Sequence, residues 1–314
     1  MFLGARVPIL QAPIGGSAPP ELAAAVANAG AVGGLALTGW SGSDASAAIA
    51  GTRSLTAGPF FVNFILAFPI ECMAEVLDSE VPIVTFSFGD PGMLIAAVKA
   101  HGKLCGVQVG NLDGAKKAVD QGADFVICQG VEAGGRVQST QALDRLLDSV
   151  VQASVGKPIV AAGGIASSKR IRQVLDAGAD AVMMGTRFVA TQESRAHELY
   201  KQRLVQAGAH DTAYTVCFMD GWPHSGHRVL RNQTLDDWEA AGCPQPGERP
   251  GEGDFVATMD DGTPVSRYEM FQPLGGYEGQ IDQLPMYSGT GCGEIQDVPS
   301  AGELVQRLWQ EATN

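Results

Sequence analysis

AGADAVM at residues 177–183 decides the fold of this chain, because the same join occurs twice more, as QGADFVI at 121–127 and AGAVGGL at 29–35. In each, a glycine ends a helical stretch, a short turn follows, and an apolar strand begins. Working outward, eight apolar runs of strand length start near Val7, Ala31, Phe60, Ile83, Leu104, Asp124, Pro158 and Ala181. Most are apolar at consecutive positions rather than alternating. That is the pattern of strands buried on both faces, as in a parallel sheet covered by helices. Helix signals fill the gaps: Pro20 to Gly30, Asp90–Pro91 to Gly102, Asn111 to Gly122, and Ser167 to Gly178. Eight such units predict an α/β fold, a (β/α)8 TIM barrel. A doubly wound sheet is the alternative, but no GxGxxG follows the first strand.

The barrel is expected over residues 1–211, with a helix at 193–207 (ESRAHELYKQRLVQA). From 212 to 300 the texture changes: lysine is absent, prolines and glycines are frequent, and few regular periods appear. This stretch predicts a smaller lid-like substrate domain over the barrel mouth, inserted before the last helix. Asp297-Val-Pro-Ser300 then introduces an amphipathic helix within residues 301–314, expected to pack back on the barrel.

The 314 residues carry a formal net charge of −13. Residues 212–300 hold 14 Asp and Glu against four Arg, so most of the acidity lies there. An acidic chain repels phosphate backbones and anionic lipid, which argues against nucleic-acid and membrane partners. Nor would so negative a lid steer an anion inward. The six cysteines have no CxxC or zinc-ribbon spacing, so no metal site is expected, and a reduced, cytoplasmic chain is the simplest reading. The first ten residues lack the order of a signal peptide, and the uncharged stretch 22–43 is broken by glycines.

Barrel enzymes place their chemistry at the C-terminal ends of the strands. Gly163 and Gly164 follow the seventh strand, and Gly185 and Thr186 follow the eighth. Glycines let backbone N–H groups approach an anion, and the helix starting near Ser167 adds a favourable dipole, so these two loops predict a phosphate site. The amides Asn63, Gln108 and Gln129 fall at strand ends that face the mouth. A flavin ring, polar and neutral with donors and acceptors on its edge, would use such partners.

QAPIGG (11–16), VNF (62–64), QGVEAGG (129–135), AAGGI (161–165) and MGTRF (184–188) together resemble the nitronate monooxygenase family, formerly the 2-nitropropane dioxygenases. The resemblance continues through TQESRAHELYKQRL (191–204), HRVLRN (227–232) and LPMYSGTG (284–291), nearly the whole chain. It implies an FMN-dependent barrel that oxidises alkyl nitronates with O2 through a flavin semiquinone. Related members are NAD(P)H-dependent quinone or enoyl reductases, so the co-substrate is O2 or NAD(P)H. By position, the resemblance puts Ala12, Pro13, Asn63, Gln129, Ala133, Gly134, Gly164, Met183, Met184, Gly185 and Thr186 against the cofactor. Gln108 and Gly163 join them from their place at the strand ends.

The family pattern reads EAGGH, and its histidine serves as base or orienting group. Here the position is Arg136. An arginine is no base at neutral pH, but it binds anions, so Arg136 is expected to hold an anionic substrate. His224 and His227, in GWPHSGHRVLRN, are the candidates for a replacement base. If none replaces it, a flavin-binding protein without turnover is the remaining alternative. The oligomeric state is open between a monomer and a homodimer.

Overall fold

The structure is a computed structural model that describes residues 2–314. Eight parallel strands form its centre: β1 (Ile9–Gln11), β2 (Gly33–Ala36), β3 (Phe60–Ile65), β4 (Ile83–Ser87), β5 (Leu104–Val109), β6 (Phe125–Gln129), then β8 (Ile159–Ala162) and β9 (Ala181–Met184). A two-residue strand, β7 (Gly135–Arg136), lies in the loop after β6 and pairs elsewhere. The sheet runs β1-β9-β8-β6-β5-β4-β3-β2. It closes on itself where the Gln11 N–H donates to the Val32 carbonyl and the Val32 N–H to the Ile9 carbonyl, both at 2.9 Å. The fold is therefore the (β/α)8 barrel that the repeated joins predict, and all eight expected runs contain a barrel strand.

Two apolar layers hold it. Outside the sheet, strand residues such as Ile9, Val62, Val84 and Val182 meet the surrounding helices. Inside, Leu10, Phe61, Ile83, Phe125, Val160 and Met183 fill the barrel axis. The inner layer fits because two large rings lie against glycines. A Cβ on Gly106 would sit 2.2 Å from the Phe125 ring, and one on Gly34 would sit 2.6 Å from the Phe61 ring. Phe2 packs edge-on to Phe125, centroids 5.9 Å apart, and stops the N-terminal end.

The surrounding helices are α1 (Pro20–Asn28), α2 (Gly42–Leu55), α3 (Met73–Asp78), α4 (Met93–Ala100), α5 (Leu112–Asp120), α6 (Leu143–Gln152) and α7 (Ser168–Asp176). Asn111 and Ser167 cap α5 and α7 as the sequence suggests, accepting from the N–H groups of Gly114 and Arg170. Two boundaries differ from expectation. Helix α4 starts beyond Asp90–Pro91, because the Asp90 carboxylate accepts from the Gly92 N–H and Gly92 takes a left-handed φ of 49°. The helix expected from residue 193 begins five residues later, as α9 (Glu198–Gln206). Glu193 instead accepts from the Ala301 N–H at 2.8 Å, at the start of the last helix.

After β9 comes only one helical turn, α8 (Thr186–Val189). The wall between α7 and α1 is filled by α11 (Ala301–Thr313), capped by a reciprocal Ser300–Glu303 box. Between α9 and α11 lie two small antiparallel sheets and helix α10 (Gln233–Ala240). One sheet joins β10 (Thr212–Thr215) to β11 (His227–Leu230), which pairs in turn with β7 from the barrel loop. The other joins β12 (Phe255–Thr258) to β13 (Pro264–Ser266) and β14 (Glu278–Gly279). No described helix is long and apolar enough to cross a membrane.

Candidate active site

The loop after β8 turns sharply at two consecutive glycines. Gly163 and Gly164 both take left-handed φ values, 108° and 67°, a pair that turns consecutive N–H groups toward one point. Among the described residues, the N–H groups of Gly164, Ile165 and Gly185 meet no acceptor in the chain. Free donors at two adjacent strand ends, leading into helix α7, are the set that a phosphate requires. Residues 288–291 (SGTG) lie directly against these loops. The Gly289 N–H donates to Thr186 Oγ1 at 3.0 Å, and the Thr290 N–H to the Glu132 carbonyl at 3.0 Å. A Cβ on Gly164 would lie 3.1 Å from Thr290 Oγ1.

The same segment explains Gly134. A Cβ there would lie 2.4 Å from the Gly289 nitrogen and 2.9 Å from Thr186 Oγ1, so only glycine allows the two backbones to touch. Gly134, Ala133 and Gly163 thus come together at one sector of the mouth. Glu132, in the same loop, caps α6 by accepting from the Leu143 N–H at 3.0 Å.

Ala12 and Pro13 follow β1 beside Gly185. The Ala12 N–H donates to the Met184 carbonyl at 2.9 Å, and the Ala12 methyl faces Gly185. Met183 and Met184 part company: Met183 belongs to the inner barrel layer, while the Met184 side chain faces the outer helices. Strand alternation leaves Met184 only its backbone to offer the mouth, which corrects the pairing of the two.

The amides form two groups. Asn63 is buried and donates to Thr85 Oγ1 at 3.0 Å, with Ser87 beside it. Gln108 and Gln129 are tied through Gln138, a residue that the sequence pattern does not single out. Gln108 donates to Gln138 Oε1 at 3.3 Å, and Gln129 Oε1 accepts from the Gln138 N–H at 2.7 Å. Gln138 Oε1 also accepts from the Phe88 N–H at 3.0 Å. No periodicity marks Gln138, since it acts from an irregular loop.

Arg136 has a different employment from the anion binding expected of it. Nη1 donates to the Ser225 carbonyl at 2.8 Å and Nη2 to the Phe218 carbonyl at 3.0 Å. The guanidinium also lies 5.3 Å from the Trp222 ring centre and 5.9 Å from that of Tyr287. Burial lowers its pKa, and the Tyr287 phenol opposes that shift.

His227 is fully buried on β11 opposite Arg136. Its Nε2 accepts from the Phe218 N–H at 3.3 Å, so that nitrogen carries no proton. Its Nδ1 lies 2.8 Å from Arg136 Nη1 and 2.9 Å from the Ser225 carbonyl. Burial first, then the Arg136 charge, push its pKa down to about 4. With both nitrogens engaged, His227 is a structural group and not the base considered for it. His224 is exposed, in a turn with a left-handed φ of 58°. Cys128, next to Gln129, is buried and its thiol is pushed up to about 12 by burial, which makes it inert at neutral pH. Among the described residues, no group of three His, Cys, Asp or Glu is placed to hold a metal.

Known proteins resemble this chain over nearly its whole length. The nitronate monooxygenase family model matches residues 2–72 and 68–311. The chain is 31% identical to the nitronate monooxygenase of Pseudomonas aeruginosa, over 99% of this chain and 97% of that protein. It is 30% identical to a Mycobacterium tuberculosis enzyme, (3aS,4S,5R,7aS)-5-hydroxy-7a-methyl-1-oxo-octahydro-1H-indene-4-carboxyl-CoA dehydrogenase, over 99% of this chain and 94% of that protein. Among solved structures, nitroalkane oxidase from Streptomyces ansochromogenes superposes with a TM-score of 0.81 at 29% identity, covering 99% and 96% of the two chains. FabK from Thermotoga maritima gives 0.80 at 26%, covering 99% and 94%. The family model matches nearly the whole chain and full-length relatives share about 30% of its residues: the protein is an oxidoreductase, and the chain belongs to the nitronate monooxygenase family.

Proposed function

We propose that the chain is an FMN-dependent oxidoreductase that oxidises alkyl nitronates with O2. The observation that carries this reading is the donor set after β8 and β9: a left-handed Gly163–Gly164 pair with free N–H groups at Gly164, Ile165 and Gly185. These residues would hold the FMN phosphate, with Thr186 and Thr290 beside them. Asn63, Gln108 and Gln129 would meet the ring edge, and Ala12, Pro13, Ala133 and Gly134 would border it. When bound, the flavin would accept electrons from the donor and pass them to O2.

The rest of the chemistry falls to the chain. His227 is neutral and fully hydrogen-bonded, and Arg136 is permanently charged, so neither removes a proton from a neutral nitroalkane. A nitronate is already deprotonated and needs no base.

A second reading, NAD(P)H-dependent reduction of a quinone or enoyl thioester, is supported by the likeness to FabK. The Mycobacterium tuberculosis relative supports a third donor class, a coenzyme A thioester. One anaerobic experiment separates the first two. Propyl nitronate is expected to bleach the flavin absorbance, while NADH and NADPH leave it unchanged. Bleaching by a nicotinamide alone would overturn the nitronate reading in favour of the reductase. If neither these nor an added coenzyme A thioester bleached it, a flavin-binding protein without turnover would be favoured.

A further inference from the structure

An aromatic contact closes one side of the barrel mouth. Trp222, in the turn between β10 and β11, packs edge-on against Phe68, centroids 4.9 Å apart, and against Phe88, centroids 5.0 Å apart. Phe68 follows the C-terminal end of β3, and Phe88 follows that of β4. The indole thus bridges both loops from the overlying turn on that side.

The seat of Trp222 is set by Arg136. The guanidinium grips the carbonyls of Phe218 and Ser225, the two shoulders of the turn whose apex carries Trp222, and lies under the indole ring. One planar fork thus fixes both ends of the loop and the ring between them, a geometry that lysine's single ammonium does not reproduce. Phe88 and His224 hold left-handed φ values of 57° and 58° on either side of the contact, so backbone strain is stored around it. Phe88 is also pinned by its N–H to Gln138.

We propose that Trp222 is the residue that limits donor size, and that Arg136 is a positioning residue that clamps the 218–225 loop so that Trp222 stays wedged between Phe68 and Phe88. The donor class this admits is a slender, short-chain nitronate. Fused-ring or branched donors meet the wedge. This rests on the nitronate reading for its substrates, but the clamp itself does not.

The test has two arms on the protein as purified. In the first, acrylamide quenching of Trp222 is obtained by subtracting the Trp222→Phe variant from the wild type. Arg136→Lys is expected to raise the Trp222 quenching constant at least twofold. An unchanged constant would overturn the clamp. In the second, kcat/KM is measured for ethyl and cyclohexyl nitronate. Trp222→Ala is expected to raise the cyclohexyl-to-ethyl ratio at least tenfold, and Arg136→Lys to raise it in the same direction. A ratio unmoved in Trp222→Ala would overturn the size limit. If Arg136→Lys raised KM for both nitronates equally and left quenching alone, Arg136 would be an anion binder and the proposal would fail. If no variant consumed any nitronate, the nitronate reading would fail and the donor-size limit with it, while the quenching arm would still decide the clamp.

Discussion

The barrel strands and residues 212–300 fasten their backbones in different ways. In the barrel, strand ladders and helix caps close the hydrogen bonds locally, and aliphatic side chains fill two continuous layers. In 212–300 the strands are two to four residues long, and arginines do the fastening. Arg228 donates to the Val131 carbonyl at 3.0 Å, back to the barrel loop. Arg231 holds Asp236 at 2.7 Å. Arg267 holds Gln283 at 2.7 Å. Arg249 is buried, bridges Asp220 and Glu252, and lies 4.3 Å from the Tyr268 ring. Three of the four arginines of the acidic stretch thus tie it internally, and Arg228 ties it to the barrel loop. A region with few periodic elements adds a handful of charge-assisted contacts to its small buried apolar clusters, one around Phe218, Trp238 and Tyr268 and one that includes Val265 and Leu284.

That contrast is open to direct attack, starting where the effect should be greatest. Arg249→Met strips the bridge from Asp220 and Glu252 and should cost about 3 kcal/mol. Calorimetry should then show 212–300 melting ahead of the barrel; a single, unshifted transition would erase the distinction between the regions. The next test uses pH. His227 titrates near 6.5 unfolded and about 4 folded, so between those values only the unfolded chain takes up its proton. Its stabilising contribution is present above pH 6.5 and is lost as the pH falls toward 4, about 3 kcal/mol in all. Urea titrations at intervals across that window should show the slope, and His227→Gln should flatten that part of it.

Gly134→Ala strikes the seam between the two regions, where the new Cβ would meet the Gly289 backbone. It should cost about 2 kcal/mol, read as a lower Tm together with weaker flavin retention on gel filtration. The smallest effect belongs to the barrel alone. Asn111→Ala removes one helix cap and should cost about 1 kcal/mol, with the denaturant midpoint falling and the quenching of Trp222 unchanged.

The two regions also differ in how far they could be read from sequence. Barrel strands and caps are local: consecutive apolar residues, a closing glycine, an Asn or Ser at the helix start. Asn111 and Ser167 behave as read because their partners lie three residues away. Glu193 does not, because its partner lies 108 residues on. The site divides along the same line. Positions on strand ends, such as Asn63 and Gln129, could be named from strand order alone. Gln138, Trp222 and the 288–291 segment act across distances that no periodic signal encodes. Arg136 was visible as a departure from the family pattern, but its partners, the Phe218 and Ser225 carbonyls, are backbone atoms without sequence identity.

Helix α11 has a bearing on how the molecule is made. It occupies the wall position that the single turn of α8 leaves unfilled, between α7 and α1. During synthesis the eight strands emerge first, then all of 212–300, and only afterwards the helix that seals the ring. Until then the outer faces of α1 and α7 stay uncovered, held open to nascent-chain chaperones and to mispairing with other chains. The Glu193 carboxylate, synthesised long before Ala301, accepts from the first N–H of that late helix in the finished fold. Completion of the barrel is thereby tied to completion of the region built over its mouth.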